Sequence, residues 1–309
     1  MLYATFVLPA PNGCNLNCSF CAIAQRGEAT ESRLIHADYV RFLTETLTHF
    51  KVGRVGIQGY EALLPETWPL TRELLRMAAT CFCETSLITN GVLLEKHVPE
   101  LAELLDSATV SLDSDRAEIH DTLRGVKGAH EKAVVGLRAL AKAFAGRRVT
   151  VASVLFPGKA HHLVAMPELL SSVGVTEWLI SPLINFRKGE HVPEAAFIRE
   201  TILSLAEKAS RYGVRVLLSD ELRKLEQTAD LYKVLSLEAL EGGDDFFRLS
   251  PDGSCSRGVE ALGLASHAPI WDTATPAELF LKRIFGEVGQ KLAERSCTLL
   301  PRAALRLMR

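Results

Sequence analysis

The sequence predicts an α/β protein in which a partial, parallel β-barrel is followed by a small C-terminal extension. The chain has 309 residues, 48% hydrophobic and 23% charged, which is enough for a barrel and an appendage. From Met1 to about Arg215, short β-branched runs alternate with amphipathic stretches, a pattern typical of βα units around a parallel sheet. After Val214–Leu217 this alternation stops, which marks the start of the extension.

Six βα units fit the first part of the chain, with the strand first in each unit. We predict strands at Ala4–Leu8, Arg54–Ile57, Glu84–Ile88, Ala108–Leu112, Val149–Leu155 and Glu177–Ile180, and helices that include Ala37–Phe50, Pro65–Ala79 and Leu94–Leu105. Right-handed crossovers would curve these units into a partial (βα)6 TIM-like barrel with its functional loops at the carboxyl ends of the strands. We therefore assign residues 1–217 to the barrel and residues 218–309 to the extension.

The predicted extension differs from the barrel in its composition. It begins with a charged helix at Asp220–Leu240 and continues with the turn-rich segment Glu241–Asp245. A short apolar run, Phe246–Ser250, then leads into the turn PDGSCSRG, which contains Cys255. We expect these segments to form a smaller unit packed on the barrel.

The charge of the chain limits the class of partner. With 35 basic and 37 acidic residues the formal net charge is −2, which gives no general attraction to nucleic acid or to an anionic membrane. No apolar stretch approaches the ~20 residues of a membrane span, and the first residues lack the basic start and apolar core of a signal peptide. We therefore expect a cytoplasmic protein with a small-molecule substrate, a peptide being the other option.

Three of the seven cysteines lie close together in the segment CNLNCSFC, directly after the first predicted strand. Cys14, Cys18 and Cys21 can therefore converge from one loop. Three thiolates suit a four-iron cluster with one iron left open to a cofactor, since such clusters are normally held by cysteine. A zinc site with His36 as the fourth ligand is the alternative, because zinc also binds cysteine and histidine.

The spacing of three and then two residues between the cysteines, with an aromatic residue before the last, resembles the signature of the radical S-adenosylmethionine (SAM) superfamily. The resemblance implies a [4Fe-4S] cluster and SAM as cofactors. It also implies reductive cleavage of SAM to a 5′-deoxyadenosyl radical, which abstracts hydrogen from the substrate. An electron donor such as flavodoxin or ferredoxin would then be a partner.

The same resemblance implies roles for residues at the ends of other strands. Phe20 would pack beside the adenine, and Gly59 and Glu61 would contact the SAM amino group, although Tyr60 departs from the family's Gly-Gly-Glu turn. Arg124, in HDTLRG, would contact the SAM carboxylate, and Asn185 would touch the nucleoside.

Two residues at the end of the fourth strand are further candidates. Ser111 and Asp113 alternate onto one side of that strand, so both could reach ribose hydroxyls or the substrate. The other reading is that they cap the end of the strand with polar groups. Either role would use the carboxyl edge of the sheet.

The remaining cysteines have different surroundings. Cys81 and Cys83 enter the third strand, where buried cysteine behaves as a small hydrophobe. Cys255 follows a Pro-Asp-Gly turn, and its segment resembles the start of the twitch or SPASM extension, which binds an auxiliary cluster in many radical SAM enzymes. That cluster needs several cysteines, and only Cys255 and Cys297 follow the barrel. We therefore expect a degenerate twitch-like extension that caps the substrate side without a complete auxiliary cluster.

A single cysteine presented to a cavity could donate a hydrogen atom to a substrate radical and so complete an epimerisation. In size and in Cys255 the chain resembles the radical SAM epimerases that invert a sugar carbon of an aminoglycoside. Carboxylates that could surround such a cationic sugar are present at Asp113, Asp115, Glu190 and Glu241–Asp245. The alternatives are a redox-neutral lyase using Arg187 and Lys188, a dehydrogenase, which the cysteine count disfavours, and a zinc-stabilised binding protein.

Overall fold

A computed structural model describes residues 2–21, 32–156, 160–183, 195–219, 246–257 and 269–285. The strands are β1 (Leu2–Leu8), β2 (Val52–Gly59), β3 (Glu84–Thr89), β4 (Ser107–Ser111), β5 (Arg148–Leu155), β6 (Glu177–Pro182), β7 (Arg215–Leu218), β8 (Phe246–Leu249) and β9 (Cys255–Arg257). The α-helices are α1 (His36–His49), α2 (Trp68–Thr80), α3 (Leu94–Leu104), α4 (Ala117–Arg124), α5 (Ala129–Ala143), α6 (Met166–Ser172), α7 (Ala195–Arg211) and α8 (Ala277–Phe285). A short 3-10 helix spans Ala160–Leu163.

All nine strands belong to one sheet in the order β7-β6-β5-β4-β3-β2-β1-β8-β9. The six predicted strands are confirmed, and every pairing from β1 to β7 is parallel. Among the described strands, β7 and β9 are not paired with each other, so the sheet is an open, partial barrel. The predicted fold class is therefore confirmed, with β7 as a further parallel strand.

The described part of the extension continues the barrel sheet. Strand β8 pairs parallel with β1, Tyr3 lying opposite Phe246, and β9 turns back antiparallel on β8. This arrangement covers the edge of β1 that a barrel starting at β1 would leave unpaired. The predicted helix Asp220–Leu240 and the segment Glu241–Asp245 lie outside the described residues, as do Asn185, Arg187, Lys188, Glu190 and Cys297.

Helices cover the outer face of the sheet. Phe6 on β1 and Phe247 on β8 pack against Phe42 of α1, with ring centroids 6.2 Å and 5.8 Å from the Phe42 ring. Trp271, which precedes α8, packs on the same Phe42 ring at 4.7 Å. One apolar core therefore joins the start of the barrel to the extension. No helix in the described ranges has the length and apolar character needed to cross a bilayer.

Candidate active site

A cavity of about 650 Å³ lies at the carboxyl ends of the strands, within the size range of small-molecule sites. Its walls come from the loop after β1 and from the ends of β2 to β6. Eight residues that the sequence singled out line it: Cys14, Cys18, Phe20, Cys21, Gly59, Glu61, Ser111 and Arg124. These residues are far apart in the chain, and the parallel sheet brings them to one edge.

The three cysteines face this cavity from a loop that is bonded to neighbouring strand ends. The Cys14 thiol lies 3.3 Å from the Tyr60 carbonyl oxygen, after β2. The Asn90 side-chain amide, after β3, donates to Asn15 Oδ1 at 2.7 Å and to Cys14 Sγ at 3.6 Å. Within the loop, the backbone N–H of Cys21 donates to the Cys18 carbonyl at 3.2 Å. The loop is therefore held in place by β2 and β3 as well as by β1.

The protonation of these thiols depends on what they bind. Burial raises the pKa of Cys14 to about 11, even though a hydrogen bond from Asn90 acts in the opposite direction. Burial also raises the pKa of Cys18, against the charge of Arg124. Without metal these thiols are protonated at neutral pH, and iron would deprotonate them because a coordinating thiol loses its proton outright.

The donor set fits a cluster better than a single metal ion. No three His, Cys, Asp or Glu side chains of the described residues are arranged to hold one metal ion. Zinc requires all its ligands around one centre, whereas three thiolates of a four-iron cluster bind separate irons and need only face a common space. His36, the predicted fourth zinc ligand, is exposed and pairs with Glu73 at 2.7 Å.

Glu61 is almost completely buried, with 2% of its surface exposed, and accepts three hydrogen bonds. The donors are the Leu63 backbone N–H at 3.0 Å, the Thr89 hydroxyl at 2.7 Å and the Asn90 backbone N–H at 2.8 Å. Burial raises the pKa of the carboxyl despite these bonds. Glu61 therefore joins the turns after β2 and β3, and it also lines the cavity.

Gly59 has a specific steric reason to be glycine. Its φ is +147°, and a Cβ at this position would lie 2.7 Å from the Leu8 carbonyl oxygen. The end of β2 can therefore approach the end of β1 only without a side chain. This close approach brings the turn at Tyr60 beside Cys14.

Arg124 and Asp113 form a buried ion pair behind the cysteine loop. Arg124 Nε donates to Asp113 Oδ2 at 2.6 Å, and the Val154 backbone N–H donates to the other carboxylate oxygen at 3.0 Å. Asp113 is fully buried and does not line the cavity, whereas Ser111 and Arg124 do. Only one of the two candidates at the end of β4 therefore faces the cavity.

Aromatic contacts complete this wall. Phe20 packs edge-on against Phe156 with 5.1 Å between ring centroids. The guanidinium of Arg124, at the end of α4, lies 5.2 Å from the centre of the Phe20 ring. Phe20 is therefore fixed from two sides while it lines the cavity.

Sequence reasoning did not assign a role to Asn90 or to Ile88, which also line the cavity. Asn90 is bonded to the cysteine loop, and Ile88 leaves 45% of its surface exposed although it lies in a strand. A signal was present for Asn90, since a polar residue directly after a buried parallel strand lies at the functional edge of the sheet. Ile88 carried no such signal, because an apolar residue in a strand is normally part of the core.

The expectation that the Pro-Asp-Gly turn presents Cys255 to a cavity is wrong for the cavity at the carboxyl ends of the strands. Cys255 begins β9, is fully buried and is not among the residues that line the cavity. It pairs with Leu249, and residues directly opposite in a sheet share a face. Leu249 shares its face with Phe247, which packs on α1, so the Cys255 thiol faces the apolar layer outside the barrel.

The described residues form a partial barrel with three thiols around a cavity at its carboxyl end, an arrangement that fits an iron–sulfur cluster beside a small-molecule cofactor. Residues 8–166, about half of the chain, match the Radical SAM superfamily. The protein belongs to this superfamily, whose enzymes bind a [4Fe-4S] cluster and SAM. The predicted cofactors are thereby confirmed.

Individual relatives share only part of the chain. The matching segment is 34% identical to the AdoMet-dependent heme synthase of Methanosarcina barkeri and covers 42% of this chain and 37% of that protein. A probable GTP 3′,8-cyclase of Methanococcus maripaludis is 32% identical over 48% of this chain and 51% of its own length. The subtilosin biosynthesis protein AlbA of Bacillus subtilis is 25% identical over 62% of this chain and 41% of its own length. The matches therefore span about half of these relatives or less.

Two solved structures share the fold. Streptococcus suis SuiB bound to its precursor peptide SuiA aligns with a TM-score of 0.67 at 14% identity, covering 95% of this chain and 67% of SuiB. The enzyme anSMEcpe with bound AdoMet and a peptide aligns with a TM-score of 0.65 at 17% identity, covering 98% of this chain and 85% of anSMEcpe. At such identities the likeness concerns the fold alone.

Proposed function

We propose that this chain binds SAM in the cavity at the carboxyl ends of β1 to β6, cleaves it reductively and abstracts hydrogen from a small-molecule substrate bound beside it. The observation that carries the proposal is the convergence of three thiols, Glu61, Ser111 and Arg124 on one cavity. Family membership supports the chemistry, and the shared cavity supports the choice of these residues.

Each side chain has a role in this proposal that follows from its position. Cys14, Cys18 and Cys21 hold the cluster. The cluster, when bound together with SAM, supplies the electron that breaks the sulfonium–ribose bond. Phe20 and Ser111 line the nucleoside part of the cavity, and the free face of the Arg124 guanidinium contacts the SAM carboxylate.

The substrate class follows from the remaining wall of the cavity. Ile88 is exposed to the cavity, and the hydroxyl residue Ser181 lines it as well. A sugar or nucleoside presents both C–H faces and hydroxyl groups, so it would match this mixture of apolar and hydroxyl surface. A peptide side chain is the competing substrate, because AlbA is named for the biosynthesis of a bacteriocin.

Epimerisation completed by hydrogen donation from Cys255 is the finer hypothesis. It requires the thiol to reach a substrate radical in the cavity. Because Cys255 is fully buried on the outer face of the sheet, our proposal does not use it as the donor. If the reaction is an epimerisation, the second hydrogen comes from another group. Regeneration of SAM during turnover would instead indicate a redox-neutral lyase or isomerase.

The test is an anaerobic reconstitution followed by a cleavage assay. The protein should hold about four irons per chain and should convert SAM to 5′-deoxyadenosine when a strong reductant is added. Deuterated aminoglycosides, nucleosides and short peptides are then supplied in turn, and deuterium in 5′-deoxyadenosine identifies the substrate. Intact SAM in a protein that contains the cluster would contradict the proposal, and transfer from a peptide alone would replace the substrate class.

A further inference from the structure

The C-terminal end of α4 is attached to the cysteine loop at three points. The Asn17 backbone N–H donates to the Arg124 carbonyl at 2.9 Å. The Arg124 guanidinium lies over the Phe20 ring, and its Nη1 donates to Cys18 Sγ at 3.9 Å. Gly125 permits this contact, because a Cβ there would lie 2.4 Å from the Asn17 carbonyl oxygen. A helix from the middle of the barrel is therefore docked on the predicted cluster ligands.

The guanidinium is fixed in this position from behind. Asp113 accepts from Arg124 Nε at 2.6 Å and is itself held by the Val154 backbone N–H. The His120 ring, one turn earlier in α4, accepts a hydrogen bond from the Asp113 backbone N–H at 3.1 Å. Two strand ends and α4 therefore determine where the positive charge lies, and only 11% of the Arg124 side chain is exposed.

We propose that Arg124 is a positioning residue that raises the reduction potential of the cluster through its hydrogen bond to the Cys18 sulfur. The inference deepens the proposed function and rests on Cys18 being a cluster ligand. Reduction adds one electron from an external one-electron donor, so the site becomes more negative by one charge. A fixed cation and an N–H···S bond stabilise the more negative state, and hydrogen bonds to the sulfurs are known to set such potentials.

This role is distinct from a contact with SAM. The Nη1 bond to Cys18 and the Nε bond to Asp113 exist within the protein alone, so the effect on potential should be present before SAM binds. A residue that serves only the SAM carboxylate would change SAM affinity and leave the potential of the SAM-free enzyme unchanged. The two roles therefore separate in a single measurement.

The experiment measures the midpoint potential of the reconstituted, SAM-free enzyme by EPR-monitored redox titration, together with its iron content. Arg124→Gln and Arg124→Met should keep the iron and shift the midpoint to a lower potential. Arg124→Lys retains the charge and should restore part of the shift. Arg72→Met is the matched control, since Arg72 is a half-exposed partner of Glu100 outside the cavity lining, and it should leave the potential unchanged.

Each remaining outcome overturns the inference. A wild-type midpoint potential in both neutral variants, with weaker SAM binding, would restrict Arg124 to the SAM carboxylate. Loss of iron from both neutral variants, whether or not Arg124→Lys retains it, would mean that Arg124 is needed to assemble the cysteine loop and does not set the reduction potential of the cluster. Failure of the proposed function is distinguishable in the wild-type protein, which would then either hold no cluster to titrate or hold a cluster and leave SAM intact, whatever the Arg124 variants do to the midpoint potential.

Discussion

The cysteine loop after β1 and strand β9 of the extension both contain cysteine, but they surround it differently. In the loop, Cys14 and Cys18 receive hydrogen bonds from Asn90 and Arg124 and face a cavity. In β9, burial alone raises the pKa of Cys255 well above its ordinary value, with no opposing donor. Polar, directional contacts therefore prepare the loop thiols for ligation, whereas apolar packing leaves the strand thiol as part of the core.

The comparison predicts its largest effect for the loop cysteines. Replacing Cys14, Cys18 or Cys21 by alanine should abolish both iron binding and SAM cleavage, because the cluster would lose one of its three cysteine ligands. Cys81→Ala is the control, since Cys81 is half-buried at the end of α2 and does not line the cavity. Iron content and 5′-deoxyadenosine formation measure the effect, and SAM cleavage by any loop variant would contradict the assignment.

The second largest effect is expected for Glu61, whose hydrogen bonds join the turns that support the cysteine loop. Glu61→Ala removes the acceptor of three buried donors and should lower the free energy of unfolding by on the order of 4 kcal/mol. Glu73→Ala removes an exposed carboxylate and should cost less than about 1 kcal/mol. Urea unfolding of the two variants measures the difference. Equal losses would mean that the Glu61 network does not hold the turns.

Acid should lower the free energy of unfolding through His120 in α4. Burial lowers the pKa of His120 from its ordinary 6.5 to about 4. As the pH falls below 6.5, His120 therefore takes up a proton in the unfolded chain but not yet in the folded protein, which favours unfolding. The contribution of this group to stability is complete above pH 6.5 and decreases by about 2 kcal/mol between pH 7 and pH 5. His120→Gln should show a correspondingly shallower dependence in urea unfolding, and an unchanged pH slope would contradict this cause.

Substitutions at two glycines test whether α4 holds the cysteine loop in place. Gly125 and Gly128 both have left-handed φ, +72° and +82°, but only Gly125 has a backbone atom where a Cβ would be. Alanine at either position should cost about 1 kcal/mol from the strained φ. Gly125→Ala should cost at least about 1 kcal/mol more from the clash with Asn17 and should also loosen iron binding. Iron retention during dialysis against a chelator distinguishes them, and equal retention would contradict docking through Gly125.

The smallest effect is expected in β9. Cys255→Ala leaves a small cavity in an apolar core and should lower the free energy of unfolding by about 1 kcal/mol. Iron content and SAM cleavage should remain at wild-type levels. Loss of iron would instead indicate a ligand. If the wild-type product carries solvent deuterium and the variant forms no epimer, Cys255 is the hydrogen donor after all.

Much of the fold followed from local patterns. The alternation of β-branched runs and amphipathic stretches predicted α1 and α3 to within one residue at each end and all six strands from β1 to β6. The described part of the extension was harder to predict from the sequence, because β8 is a short apolar run whose partner, β1, lies about 240 residues earlier in the chain. Local pattern contains no information about pairing across such a distance.

The sequence by itself predicted the cofactor class, because the spacing of the three cysteines in one loop resembles the radical SAM signature. It also determined which strand ends carry polar side chains. Only the tertiary structure decided that Asp113 lies behind Arg124 while Ser111 faces the cavity. It likewise decided that Cys255 faces the helices, since the register of β9 on β8 selects the face and a shift by one residue would reverse it.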